Sequence, residues 1–313
     1  MKIFKSEQKK SFFFLNITQF LGALNDNVFK LLIIFLLINV KGSAQASTIM
    51  AIAGGVFVLP FIVLSNAAGI MADRISKRKI LISMKFVEIV IMSFSLIAVY
   101  FQSEIGLFAL LFLMATQSTA FGPSKYGIIP ELYDEAKVSK ANGIISSFSY
   151  LAIILGTFLG PYLTDITNKN FFLSAVFCVI IAILGFLAST QIHKTPALHS
   201  SQKISPFFFY EIYKTMALSY KRPHLLPALF GSGFFLFVGG FIQLNVIPYA
   251  IESLKMSEVG GGYLFLGCAV GIALGSMVAG KISKDRAEIG LACIAGLFLS
   301  ILLTLLSISS FSL

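Results

Sequence analysis

The sequence predicts an all-α protein that crosses a membrane several times. Of its 313 residues 57% are hydrophobic and only 12% are charged, whereas soluble domains are roughly 45–50% apolar and about 25% charged. Its apolar stretches run for about 20 residues or more between short charged loops, which is the length that a helix needs to span a bilayer. These stretches are too long and too evenly apolar for barrel strands, so helices are the expected spans.

The apolar stretches predict about nine transmembrane helices in a 6 + 3 arrangement. They cover residues 12–40, 48–72, 80–101, 104–123, 140–163, 170–192, 225–251, 259–280 and 289–309. We therefore expect an N-terminal six-helix half at 1–192, a cytoplasmic central linker at 193–224 and the first three helices of a second half at 225–313. A second half of three helices is incomplete, so we expect a truncated or split coding sequence.

The basic residues predict which side of the membrane each loop occupies. With the N-terminus in the cytoplasm, 19 of the 24 lysines and arginines fall in inner segments, three fall in outer loops, and Lys30 and Lys85 lie within spans. Cytoplasmic loops of membrane proteins carry such an excess. The formal charge of +10 is therefore a topological signal, and its spread over five segments argues against a nucleic-acid partner.

Several kinds of chemistry find no support in the sequence. The three cysteines, Cys178, Cys268 and Cys293, lie in apolar stretches without a CxxC pair, so neither a disulfide framework nor a metal site is indicated. No phosphate-binding GxxxxGK[ST] loop occurs, and the serines and loop histidines form no nucleophile arrangement. We expect no catalytic residue, no cofactor and no enzymatic activity.

The loop after the second span, residues 69–79 (GIMADRISKRK), resembles the signature loop of the major facilitator superfamily. By that resemblance the chain is a major-facilitator-type helical bundle, and this loop latches the cytoplasmic side. We expect Gly69 to allow two helices to approach closely. Residues 281–284 repeat the basic part of the loop, although Gly280 stands where the first copy has Asp73. The predicted latch residues are Gly69, Asp73, Arg74, Lys77 and Arg78.

The first span carries the most informative polar residues. Gln19, Gly22, Asp26 and Lys30 follow one another at spacings of three, four and four, so they share one helical face. A charge at mid-membrane costs about 2.5–3.5 kcal/mol on insertion scales, so Asp26 and Lys30 are expected to face the bundle interior or a wet cavity. They either line the transport path or form a structural ion pair.

Two further spans contain weaker candidates. In the third span, Lys85 is close enough to the cytoplasm to extend its ammonium to the interface, and Glu88 is as easily structural as functional. In the seventh span, Gln243 and Asn245 accompany two glycines and a proline, which suits a bending gate with a polar lining. The Gly156-x-x-x-Gly160 spacing in the fifth span favours close helix packing.

Two longer runs resemble the bacterial lysophospholipid transporter family. They are residues 19–30 (QFLGALNDNVFK), and residues 121–132 (FGPSKYGIIPEL) with their flanks at Gln117 and Ala141-Asn142-Gly143. The resemblance implies a carrier that moves lysophospholipids such as lysophosphatidylethanolamine across the bacterial inner membrane. It makes Asp26 the functional acidic residue of the first helix, and implies a downstream acyltransferase or acyl-carrier-protein ligase as a possible partner.

We therefore expect a lysophospholipid carrier of the bacterial inner membrane that works by alternating access, with lysophospholipid and membrane lipids as partners. The expected substrate- or ion-binding residues are Asp26, Lys30, Asn25, Gln19, Gln243 and Asn245. Two alternatives stay open at this point: a proton-coupled efflux carrier for small amphipathic compounds, and the membrane module of a bifunctional lipid-remodelling acyltransferase.

Overall fold

The computed structural model describes residues 2–133, 135–193, 225–283 and 289–310, together with Tyr210, Tyr213 and Ala217. These residues form helices and no strand. The helices are α1 (Lys2–Lys41), α2 (Ala46–Arg74), α3 (Lys77–Tyr100), α4 (Glu104–Gly127), α5 (Ile129–Leu132), α6 (Glu135–Ile166), α7 (Phe171–Thr190), α8 (Leu225–Pro248), α9 (Glu258–Ser283) and α10 (Ile289–Ser310). The all-α prediction is confirmed.

Seven helices in the described ranges are long and apolar enough to cross a membrane: α1–α4 and α6–α8, some of them extended by short flanking segments. The chain is therefore a multi-pass membrane protein. The last two predicted spans fall on α9 and α10, whose described apolar parts are the shorter stretches Gly260–Ile272 and Cys293–Leu306. The count of nine spans stays a prediction.

Two features of the first half differ from the predicted boundaries. Helix α1 begins about ten residues before its apolar stretch, because a helix can extend beyond the hydrocarbon as a polar segment. A short helix, α5, lies between the fourth and fifth spans, with Pro130 in its first turn, where its missing N–H is not needed. The predicted central linker lies largely outside the described residues.

Helix α1 lies at the centre of the first half. In its most apolar stretch 83% of the residues are buried, against 18–44% for the other six candidate spans. It packs against α4, α6 and α7. Two glycines allow α6 to come close: a Cβ added at Gly156 would lie 2.7 Å from the backbone oxygen of Leu24, and one added at Gly160 would lie 2.8 Å from the Cβ of Leu31. The packing role predicted for this glycine pair is confirmed.

Side-chain contacts connect helix ends at both ends of the bundle. We call the end that contains Ser43–Gln45 the outer end and the end that contains Ile75–Ser76 the inner end, following the predicted topology. At the outer end, Lys41 forms an ion pair of 2.6 Å with Glu104. At the inner end, the backbone N–H of His193 donates to Ser11 Oγ at 3.0 Å.

The described helices of the second half pack against the first half. Helix α8 contacts α2, and α9 contacts α6. Leu244 of α8 lies over Gly54, where an added Cβ would be 2.6 Å from the leucine Cδ2, and Pro161 lies equally close to Gly262 of α9. The ring centroids of Phe158 and Tyr263 are 5.8 Å apart. These three pairs lie toward the outer end of their helices.

Candidate functional site

The polar face of α1 points into the protein. Asn25 is fully buried, Gln19 is 2% exposed and Asp26 is 8% exposed. Burial of a polar group costs free energy unless the group is hydrogen-bonded. The hydrogen-bond partners of these side chains therefore indicate the function of this face. Neighbouring helices supply the partners.

Asp26 is bound by one serine and keeps one oxygen free. Its Oδ2 accepts a hydrogen bond of 2.6 Å from Ser118 Oγ of α4, whereas its buried Oδ1 has no hydrogen-bond partner among the described residues. The carboxylate also interacts electrostatically with Glu88, Lys85 and Lys125. A buried carboxylate normally accepts several hydrogen bonds, so Asp26 has unused capacity for a donor.

Lys30, one helical turn further along α1, contacts a different residue. Its Nζ lies 4.9 Å from the centroid of the Phe57 ring of α2, at the distance of a cation–π contact. Lys30 interacts electrostatically with Asp26. The ion pairs among the described residues do not include these two side chains. The structural ion pair considered from the sequence is therefore not formed here.

Asn25 connects α1 to a buried ion pair in α3. Its Nδ2 donates to Glu88 Oε1 at 2.9 Å, and the Lys85 Nζ lies 2.6 Å from Glu88 Oε2. Gly22 and Gly185 make room for the ammonium: an added Cβ at Gly22 would overlap the Lys85 Nζ, and one at Gly185 would lie 3.4 Å from it.

The position predicted for Lys85 is wrong. Its side chain is only 1% exposed and does not extend to the membrane interface. The reason is that Glu88, one turn away on the same helix, and the space left by two glycines give the ammonium a partner inside the bundle. An ammonium with a carboxylate within reach loses less by burial than an isolated one.

Gln19 connects α1 to α6 and α4. Its Nε2 donates to the Ile145 carbonyl at 3.2 Å, and its Oε1 accepts from Ser149 Oγ at 2.7 Å. Ser149 Oγ is in turn 3.4 Å from the Lys125 Nζ. The sequence predicts that Lys125 lies in an inner loop. In the structure it lies near the end of α4, and its ammonium group contacts the cluster through Ser149.

Asn245, one of the two candidates from the seventh span, is not part of this cluster. Asn245 is exposed, and its Nδ2 donates to the Phe241 carbonyl of its own helix at 2.8 Å. The side chain of Gln243 lies outside the described residues. Their role as a polar lining stays a prediction.

The predicted latch residues occupy the inner end. Lys77 pairs with Glu131 of α5 at 2.5 Å, and Arg78 donates to the carbonyls of Ile192 at 2.5 Å and Thr190 at 3.0 Å. These contacts join α3 to α5 and to the end of α7, all within the first half. Asp73 is exposed, and Arg74 is half-buried.

Gly69 does not show the close helix approach that the sequence predicts. A Cβ added there would meet nothing within 4 Å in the described part of the chain. Among the described residues, the packing reason for a glycine at this position is therefore not met. Other described glycines do lie in close contacts, among them Gly22, Gly54, Gly156 and Gly160.

Sequence reasoning missed Ser118, Lys125 and Ser149 as site residues. One signal was present, because Ser118 and Lys125 are seven residues apart and therefore lie on one face of a helix. Ser149 gave no such signal, since serine in a span often bonds to its own backbone. Here Ser149 also donates to the Ile145 carbonyl.

The arrangement can bind a ligand that carries both charges. Asp26 offers a carboxylate oxygen that has no partner in the described part of the chain, and Lys30 and Lys125 place ammonium groups on either side of it along the bundle. Histidine, cysteine and carboxylate side chains form no group of three suited to a metal within the described ranges. The described side chains of the site offer hydrogen bonds and charges.

Comparison with known proteins defines the class. The sequence profile of the Major Facilitator Superfamily matches residues 15–313, and the chain belongs to this superfamily. The fold agrees: a bacterial homologue of the human lysosomal transporter Spinster superposes with a TM-score of 0.66 at 18% identity, covering 89% of this chain and 63% of that one. A POT family transporter gives a TM-score of 0.59 at 17% identity, covering 88% and 71%.

The chain is also similar to curated proteins named lysophospholipid transporter LplT. It is 22% identical to that of Serratia proteamaculans over 84% of this chain and 64% of the relative. The Photorhabdus laumondii protein is 27% identical over 58% and 43%, and that of Escherichia coli O1:K1 is 24% identical over 85% and 64%. The chain thus spans less than two thirds of these relatives. The predicted resemblance is confirmed, and it points to a transporter rather than an enzyme.

Proposed function

We propose that this protein moves lysophospholipids across the bacterial inner membrane by alternating access between its two helical halves. The observation on which the proposal rests is Asp26: a carboxylate buried in the middle of a transmembrane bundle, with one oxygen lacking a hydrogen-bond partner in the described part of the chain. Charged residues inside a membrane mark substrate or ion pathways. The similarity to the lysophospholipid transporters named above supports the same cargo.

A lysophosphatidylethanolamine headgroup fits the charges of the cluster. Its ammonium would meet Asp26 Oδ1, and its phosphate would meet the ammonium of Lys30 or Lys125. Gln19 and Asn25 supply hydrogen bonds that fix the surroundings of the carboxylate. The aliphatic and aromatic side chains that surround the cluster suit an acyl chain, because ligand sites are mostly apolar with a few placed polar groups.

The remaining predicted residues would act in the transport cycle. Gln243 and Asn245 of α8 would line the path from the second half, and the loop from Gly69 to Arg78 would latch the cytoplasmic side. We further propose that the N-terminus lies in the cytoplasm, as the distribution of basic residues indicates. A downstream acyltransferase or acyl-carrier-protein ligase stays a predicted partner.

The substitution Asp26→Asn tests the proposal. It preserves size and the hydrogen bond to Ser118 but removes the charge that would pair with the ammonium. A hydrogen bond to a charged group is worth about 1.5–3 kcal/mol, so we expect uptake of labelled lysophosphatidylethanolamine into spheroplasts to fall by roughly tenfold or more. The amount of protein in the membrane should not change.

Asp165→Asn is the matched control, because Asp165 is exposed at the outer end of α6 and lies outside the cluster. This variant should transport at the unsubstituted rate. Unchanged uptake by the Asp26→Asn protein would contradict the assignment. Strong competition by water-soluble amphipathic drugs would instead favour the efflux carrier.

A further inference from the structure

A carboxylate of the second half contacts the first half at the outer end. Oε1 of Glu252, in the second half, accepts hydrogen bonds from Ser47 Oγ at 2.7 Å and from the backbone N–H of Ser47 at 3.3 Å. Ser47 lies in the first turn of α2, and Glu252 lies in the π-helical segment Tyr249–Ser253 that follows α8. Both bonds are exposed.

This contact supplies something that α2 lacks. The first backbone N–H groups of a helix have no partner within the helix, and the residue before α2, Gln45, makes no capping hydrogen bond with its side chain. Glu252 satisfies one of these groups from the other half of the protein. Its negative charge also lies at the positive end of the helix dipole, so the contact is favourable beyond its hydrogen bonds.

The segment that holds Glu252 is not a regular continuation of α8. Pro248 ends the α-helix, and Tyr249–Ser253 has the wider π-helical turn. Single π-helical turns occur frequently at functional positions of helices. This local irregularity places the carboxylate over the start of α2 without requiring the whole of α8 to approach it.

Apolar contacts between the halves lie directly below this point. Ile247 is 2% exposed and belongs to the same buried cluster as residues of α1 and α2, and Leu244 covers Gly54. Beside the contact is a cavity of about 620 Å³ that both halves line, with Asp165 on one side and Lys255 on the other. Separation of the halves here would expose Ile247 and widen the cavity.

We propose that Glu252 is the latch of an outer gate: it holds the outer end closed by capping α2 across the two halves, and its release accompanies opening to that side. The inference rests on the alternating access of the proposed function and not on its substrate. It predicts that removal of the carboxylate shifts the protein toward a state that is open at the outer end.

The test measures the accessibility of position 247. In the full chain, Cys178, Cys268 and Cys293 are replaced by alanine and the reporter substitution Ile247→Cys is introduced. Reaction with a charged maleimide is followed in open membrane fragments, where both faces are accessible, so the result does not depend on topology. Glu252→Ala should speed labelling by roughly threefold to tenfold, the range that corresponds to the loss of one or two hydrogen bonds.

Two further variants make the result specific. Glu104→Ala removes the Lys41–Glu104 ion pair, which lies at the same end but within the first half, and should leave labelling unchanged. Ser47→Ala should have a smaller effect than Glu252→Ala, and should add nothing to it when the two are combined. Equal labelling in the Glu252→Ala and unsubstituted backgrounds, or an equal increase in Glu104→Ala, would overturn the proposal. Neither outcome depends on lysophospholipid transport.

Discussion

The buried ion pair of Lys85 and Glu88 is connected to Asp26 through the neighbouring residue Asn25. Loss of one partner leaves an uncompensated charge in the bundle, which costs about 3–5 kcal/mol, whereas replacing both partners by apolar residues of similar volume is often neutral. We therefore expect Lys85→Met to lower the thermal aggregation midpoint in detergent markedly, and the double variant Lys85→Met/Glu88→Leu to recover most of that loss.

Transport should not recover with stability in the double variant. Asn25 Nδ2 would lose its acceptor at Glu88, and the orientation of the α1 backbone next to Asp26 would be less fixed. A double variant less stable than Lys85→Met alone would contradict this expectation. It would mean that the ion pair itself contributes net stability.

At the scale of single residues, the sequence identified the helix face but not its partners. The spacing of Gln19, Asp26 and Lys30 placed them on one face because the helical period is a local property. The partners of Gln19 and Asp26 are 130 and 92 residues away along the chain. Periodicity contains no information about such distant contacts, so neither Ser118 nor Ser149 could be assigned from it.

The pairing of α1 with α6 depends on the absence of a side chain at Gly156. A leucine there would place its Cβ 2.7 Å from the carbonyl oxygen of Leu24, and backbone cannot move aside as a flexible side chain can. We expect Gly156→Leu to force the helices apart, to break the Gln19–Ser149 contact and to reduce the yield of folded protein in size-exclusion chromatography by severalfold.

Gly143→Leu on the same helix is the control, because a Cβ at Gly143 meets nothing within 4 Å in the described structure. The control should elute like the unsubstituted protein. If both leucine variants behaved alike, the effect would be one of helix composition and not of close packing.

At the scale of helices, existence and type were predictable and precise ends were not. Long apolar stretches identify spans because the bilayer sets their minimum length. The extension of α1 back to Lys2 lies in polar sequence, where hydropathy gives no signal. The short helix α5 was missed for a related reason: four residues are too few to show a helical period, and its Glu131 pairs with Lys77, which lies 54 residues away in the sequence.

The contacts at the helix ends fit an alternating path of the chain through the bundle. Lys41 meets Glu104 at the outer end, while Arg78 at the start of α3 contacts the end of α7 at the inner end. The predicted cytoplasmic location of the inner end follows from the basic residues alone and can be measured. In spheroplasts, a membrane-impermeant maleimide should label a Lys41→Cys variant and should leave a Lys79→Cys variant unlabelled until the cells are lysed.

Both positions are exposed, so a difference in labelling reports sidedness and not burial. Labelling of Lys79→Cys alone in intact spheroplasts would mean that the predicted topology is reversed.

At the scale of the whole molecule the superfamily fold was predictable, because the loop at residues 69–79 and the hydropathy pattern are properties of the sequence. The meeting of the halves at Glu252 was not, since it joins residues 205 positions apart.

The burial of α1 also has a consequence for biogenesis. This helix carries Gln, Asn, Asp and Lys side chains that a lone segment would insert poorly, yet Ser149, the partner of Gln19, is translated 130 residues later. At about 5–20 residues per second this is a delay of roughly 7–26 s. During that interval the nascent segment must be sheltered from hydrocarbon, so we expect its release from the insertion machinery to be delayed until the fifth span has been made.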